Sequence, residues 1–270
     1  MDKARFENTV ALRDAGRIED AIQEFHLMAA AVSDADDKAA LMINEHECYC
    51  SLGRLKEAKA ILADIRKVGF NNNVVRLIVD YGEACMAIQT GDLKGGLARL
   101  DQVLHEHPGS IQDSHFRYLY EGIQQRRAFA LTNLGRHRDA LPLLKEVSSF
   151  RNPTVYDQQQ VHLYLGICYG ELGQGNLAKE EFLRTIDFSL KNDIEAQARY
   201  RAGLLYFTDG AFAQAKQHLE TILQIHSGNI PNLPRNYVYE QLSRTCHYLG
   251  EEQNAKRYMK MAKESSAVTT

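Results

Sequence analysis

Apolar side chains recur along this chain at helical rather than strand spacing. Val161-His162-Leu163-Tyr164-Leu165-Gly166-Ile167-Cys168-Tyr169 carries them at helical spacing, and a second such stretch runs from Ala178 to Ile186. Gly173 stands between the two stretches. A glycine followed five residues later by a small residue punctuates the chain seven times: Gly16 and Ala21, Gly53 and Ala58, Gly91 and Gly96, Gly135 and Ala140, Gly173 and Ala178, Gly210 and Ala215, Gly250 and Ala255. Successive glycines lie 37, 38, 44, 38, 37 and 40 residues apart, a period that marks a repeat architecture. Each unit reads as two helices joined at the glycine, where a positive φ costs nothing. Helix-start signals fall between units at Asp34 to Asp37, Asn71 to Asn73, Asn152-Pro153-Thr154, Asn192-Asp193 and Pro231-Asn232-Leu233-Pro234. No strand-like alternation bounded by hairpin turns competes with this reading.

The run Leu165-Gly166-x-x-Tyr169 with Gly173, Ala178 and Phe182 resembles the tetratricopeptide repeat (TPR) consensus, as do Gly203, Tyr206, Gly210, Phe212, Ala215 and Leu219 in the sixth unit. Units one, two, four and seven keep the turn glycine and the small residue but vary upstream, and the third ends on Pro108. The resemblance spans about residues 2–265. It implies an all-α fold, a right-handed α-α superhelical solenoid of seven TPR-like helix pairs over residues 1–265, with a tail at 266–270. The repeats are expected at roughly 2–35, 36–72, 73–110, 111–152, 153–191, 192–230 and 231–265. Family repeats run to about 34 residues, so the longer period here implies extended helices. The 44-residue interval puts its surplus at His107-Pro108-Gly109-Ser110-Ile111-Gln112, where a loop or hinge is expected.

Composition narrows the function classes. A net charge of −3 leaves no basic footprint for nucleic acid or anionic lipid. Five cysteines, an odd count, argue against a disulfide framework and for a reducing compartment. No stretch approaches the ~18 uninterrupted apolar residues of a membrane span, and the start lacks an export-signal core, so a cytoplasmic location is expected.

Chemistry-bearing motifs are absent: no phosphate loop, dinucleotide fingerprint, zincin helix or nucleophile elbow occurs. Gly166, Gly170, Gly173 and Gly175 fall on repeat positions, which assigns them to packing and turns. His46 and Cys50 share a helix face without a fourth ligand in sight, so small packing residues beside a partly exposed histidine are expected rather than a metal site. His105 and His107 suit a helix C-terminus. An enzyme, a cofactor and a metal are therefore not expected.

The expected function is a non-enzymatic protein-interaction module. With the turn glycine as position 15 of each unit, positions 2, 6, 9 and 13 of the first helix face away from its partner helix, flanked by 5 and 12. The TPR resemblance implies that this face lines a concave groove. Position 9 reads Val10, Glu47, Cys85, Phe129, Ile167, Leu204 and Arg244; position 5 reads Phe6, Ile43, Tyr81, Gln125, Leu163, Tyr200 and Glu240. The candidate peptide-binding residues are Tyr81, Arg126, Phe129, Tyr164, Tyr200, Arg201 and Arg244. Charge on the face runs from acidic (Glu7, Asp14, Glu47) to basic (Arg126, Arg201, Arg244). The family's carboxylate clamp is not reproduced: its positions hold Phe6, Val10, Asn44, Ile78 and Gly82 counted from the first unit, and Gln125, Phe129, Tyr164, Gln197 and Arg201 from the fourth. The alternatives are a peptide-sensing regulator and a scaffold using its convex face or ends. A monomer is expected. The last helix, Glu251 to Glu264, carries Ala255, Met259 and Ala262 on one face and Lys256, Lys260 and Lys263 elsewhere, which suits a polar cap, with Tyr258 and Met261 exposed.

Overall fold

A computed structural model describes residues 2–107, 117–150, 154–226, 230 and 233–267. Among them the chain forms fourteen helices and no strand, apart from one isolated bridge between Ile230 and Leu233. It divides into two compact units, Met1–Leu134 and Gly135–Thr270. The first holds α1 (Lys3–Asp14), α2 (Ile18–Ala31), α3 (Ala35–Ser51), α4 (Leu55–Val68), α5 (Asn73–Gln89), α6 (Leu93–Glu106) and α7 (Arg117–Asn133). The second holds α8 (His137–Val147), α9 (Val155–Glu171), α10 (Gly175–Asp187), α11 (Asp193–Thr208), α12 (Phe212–Ile225), α13 (Arg235–Tyr248) and α14 (Glu252–Ala267). The expected loop at Pro108 to Gln112, the boundaries at 110/111 and 152/153, and the start signals Asn152, Pro153, Pro231 and Asn232 lie outside the described residues.

Local chemistry sets the helix ends. Asp34 accepts from the Asp37 amide at 2.8 Å and Asn72 from the Val74 amide at 2.8 Å; Asn192 does the same for Glu195 at 3.0 Å. Thr154 and Asp157 form a reciprocal capping box. At the other end of each first helix the turn glycine adopts a positive φ, between 69° and 91° in all seven cases. At six of the turns the next amide then donates to a carbonyl five residues earlier, as in Gln174 to Tyr169 at 2.8 Å and Glu251 to Cys246 at 2.8 Å. That Schellman closure turns the chain into the second helix, at α6 with a side-chain cap added by Asp92, which accepts from the Gly95 amide at 2.9 Å. The longer period appears as first helices of 17 residues at α3, α5, α7 and α9.

Within each unit the small residue after the turn lets the two helices of a pair approach. Ala21, Ala58, Ala178 and Ala215 are wholly buried. Where the residue is Gly96, a Cβ would stand 2.4 Å from an Ile88 side-chain carbon. In the second unit Gly166 plays the complementary part under Phe182, 2.5 Å from where its Cβ would be. Two expectations for the last helix are corrected. Tyr258 is buried against Tyr239 and donates its hydroxyl to Glu220 at 2.9 Å, while Met259, expected on the buried face with Ala255 and Ala262, is 39% exposed. The helix also runs through Ala267, into the segment expected to be a tail.

Candidate functional site

In the first unit α3, α5 and α7 lie side by side, and their outward faces bring together residues far apart in sequence. Tyr81, half-buried on α5, aims its hydroxyl at Gly122 of α7. The Cys85 thiol and the Arg126 guanidinium stand beside that hydroxyl. Burial pushes both the phenol and the thiol above their ordinary pKa, and the Arg126 charge opposes the rise without cancelling it. Both groups are therefore neutral hydrogen-bonding partners at physiological pH.

His46 lies beneath this face on α3. Its Nδ1 is 2.9 Å from the Ala58 carbonyl, which can only accept, so Nδ1 carries the proton and Nε2 faces the Cys50 thiol at 3.5 Å. The histidine is 8% exposed, not partly exposed as the sequence suggested, and burial lowers its pKa. Both ring nitrogens are engaged by the protein.

Phe129 is corrected as a surface anchor. It is 5% exposed, and Ala128, Ala130, Leu131 and Thr132 beside it on α7 are buried as well. Ile43 and Leu163 are likewise buried, so packing accounts for part of the apolar row at position 5.

In the second unit the corresponding face is formed by α9, α11 and α13. Tyr164, Tyr200 and Arg201 are half-buried and Arg244 is exposed. Burial raises the Tyr200 pKa, with Glu240 adding to the rise and Arg201 and Arg244 opposing it. Burial lowers the Arg201 pKa, partly offset by the charge of Glu171. Among the described residues neither Arg201 nor Arg244 has a hydrogen-bond or ion-pair partner. The acids noted near the start of the chain are differently placed. Arg13, which the sequence did not single out, reaches Asp14 at 3.1 Å and Glu47 at 3.2 Å, and Lys3 stands 3.8 Å from Glu7. Asp14 and Glu47 are thus paired with Arg13, whereas Arg201 feels the charge of Glu171 without a direct pair.

One grouping escaped the sequence entirely. His107 caps α6, as its place at a helix end implied, but its buried ring turns to Asp80 of α5, with Nε2 3.2 Å from the carboxylate. Asp80, Glu106 and His107 hold potential ligand atoms within 4.8 Å of one another, the one such grouping among the described residues. Arg66 already pairs with Asp80 and reaches Glu83 at 3.0 Å, and Arg99 reaches Glu83 at 2.9 Å. These ion pairs tie α4, α5 and α6 together. No described helix is long and apolar enough to cross a membrane.

No protein-family model matches the sequence, and no curated protein does. Solved structures match the fold. The apo form of the quorum sensor NprR from B. thuringiensis superposes with a TM-score of 0.79 at 17% identity, over 97% of this chain and 75% of that one. NprR in complex with its cognate peptide NprX gives 0.71 at 17% identity, over 98% and 78%. A tetratricopeptide repeat protein from Parabacteroides merdae gives 0.59 at 15% identity, over 97% and 92%. MamA gives 0.51 at 19% identity, over 69% and 95%. Identities this low speak of fold alone, and the fold is that of a TPR-like repeat protein.

Proposed function

We propose that the chain is a non-enzymatic interaction module that takes a peptide segment with apolar side chains and at least one carboxylate on the first-helix face of its second unit. Arg201 carries the reading. A half-buried guanidinium without a protein acceptor keeps its forked donors open, and a ligand carboxylate would fit them. Tyr200 and Tyr164 would supply apolar area beside it, and exposed Arg244 would draw acidic ligands in. Tyr81 and Arg126 form the comparable surface of the first unit, where the phenol and thiol are neutral donors. NprR, with a similar fold, has been crystallised with a peptide, which supports a peptide as the ligand class. The module is proposed to act as a monomer.

Panning a displayed library of random peptides against the immobilised chain tests this. Enriched peptides should combine a carboxylate with an aromatic or branched aliphatic residue and should be lost on Arg201→Gln. Enrichment of sequences without carboxylates, or retention by the variant, would refute it.

A further inference from the structure

Nine residues after each turn glycine the chain places an apolar side chain. Phe25, Leu62, Leu100, Leu144, Phe182 and Leu219 are at most 3% exposed, whereas Met259 in the seventh pair is 39% exposed. The next first helix supplies the cover in the earlier cases. Leu219 packs in one cluster with Val238, Leu242 and Cys246 of α13, and Phe182 with Ile194, Ala198 and Ala202 of α11. In the fifth and sixth pairs an ion pair is added to the apolar seat. Lys179, six residues after its turn glycine, pairs with Asp209 at the end of α11; Lys216, at the same place one pair later, pairs with Glu251 just beyond α13.

Lys256 stands at that place on α14, and among the described residues it has no hydrogen-bond or ion-pair partner. An open groove of about 610 Å³ between α11, α13 and α14 is lined by Phe207, Arg244, Tyr248, Ala255, Met259 and Lys256 itself. Tyr248 is 62% exposed and stacks on Phe212 at 4.8 Å. The position it holds, two before the turn glycine, is polar in the other six pairs: Asp14, Ser51, Gln89, Asn133, Glu171 and Thr208.

We infer that this groove is a docking seat for an amphipathic helix of a partner protein, with an apolar face against Met259 and Tyr248 and a carboxylate at its C-terminal end on Lys256. The shape is that of the seats α11 and α13 already fill, and the unpaired lysine sets the charge. A second copy of this chain fits less well. Where the seated helices bring Asp209, just before the turn glycine, or Glu251, just after it, α1 would bring Ala15 and Arg17, and Arg17 would face Lys256. The groove shares Arg244 with the ligand face around Arg201 but does not include Arg201 itself, so the Arg201→Gln variant separates the two.

The probe is a helix-stabilised synthetic peptide covering residues 235–251 of this chain, the segment that fills the equivalent seat on α12, titrated by fluorescence anisotropy into the full chain. Saturable binding is expected, weakened by about tenfold or more on Met259→Asp. Lys256→Glu should weaken it too, and the peptide carrying Glu251→Lys should recover binding to that variant. Arg201→Gln should leave the titration unchanged. Both Met259 and Lys256 are exposed, so the variants should keep the parent's circular dichroism. Absence of binding, or equal binding to Met259→Asp, overturns the seat. Light scattering that gives twice 30.6 kDa for the parent and single mass for Met259→Asp would overturn the assigned occupant in favour of a second copy.

Discussion

The hydroxyl of Tyr81 occupies the space where Gly122 lacks a side chain: a Cβ there would stand 2.7 Å from the phenolic oxygen and 3.4 Å from the carbon that bears it. Only the first distance is a clash. Gly122→Ala should therefore cost about 1–3 kcal/mol as an overpacked contact. In a Tyr81→Phe background the same change should instead stabilise, by up to ~1 kcal/mol, because alanine favours the helix over glycine. Urea unfolding of the four proteins reads both signs. Equal effects of Gly122→Ala in the two backgrounds would remove the proposed contact.

Two glycines in one turn separate the repeat's two uses of the residue. Gly173 has a φ of +76°, whereas Gly175, the first residue of α10, has open space where a Cβ would sit and an ordinary φ. Gly173→Val should lose about 1–2 kcal/mol or more, since a branched side chain is strained in the left-handed region. Gly175→Ala should be neutral or stabilising by up to ~1 kcal/mol through the unfolded chain. Thermal unfolding by circular dichroism distinguishes them.

Acid should weaken the first unit through His46. Burial lowers its pKa below the ordinary 6.5, so the unfolded state takes up a proton before the folded state does. The folded state's advantage is intact above 6.5 and is lost as pH falls from there towards the depressed folded value. His46→Gln should flatten the dependence of the urea midpoint on pH in that window relative to the parent. An unchanged slope would show that His46 titrates normally in the fold.

Arg13 and Glu47 mark where sequence reading stops. The turn glycines, the small residues five positions on and the caps Asp34, Asn72, Thr154 and Asn192 act within a few residues, so their spacing alone exposes the helix pairs. The Arg13–Glu47, Tyr81–Arg126 and His107–Asp80 relationships join separate helices, and nothing local announces them. Phe129 shows the same limit from the other side. Its helical position points outward by period, but the ring is buried, as are its neighbours from Ala128 to Thr132. Met259 matches the buried pattern of six earlier residues and differs only because no described helix lies over it.

The capping box on α9 gives a purely local test of the repeat boundary. Thr154 accepts from the Asp157 amide at 3.0 Å, and the Asp157 carboxylate accepts from the Thr154 amide at 3.3 Å. Thr154→Ala should cost about 1 kcal/mol, and Thr154→Ser should recover most of it. Loss of the same stability in both variants would assign the threonine to packing instead.

Arg201 carries the functional account, and the affinity of a library-selected acidic peptide for the parent and for Arg201→Gln, each at low and physiological salt, tests it most directly. The account requires the variant to bind at least about tenfold more weakly, a loss of ~1.4 kcal/mol, with a shallower salt dependence than the parent. Equal affinity and equal salt dependence in a normally folded variant would contradict it.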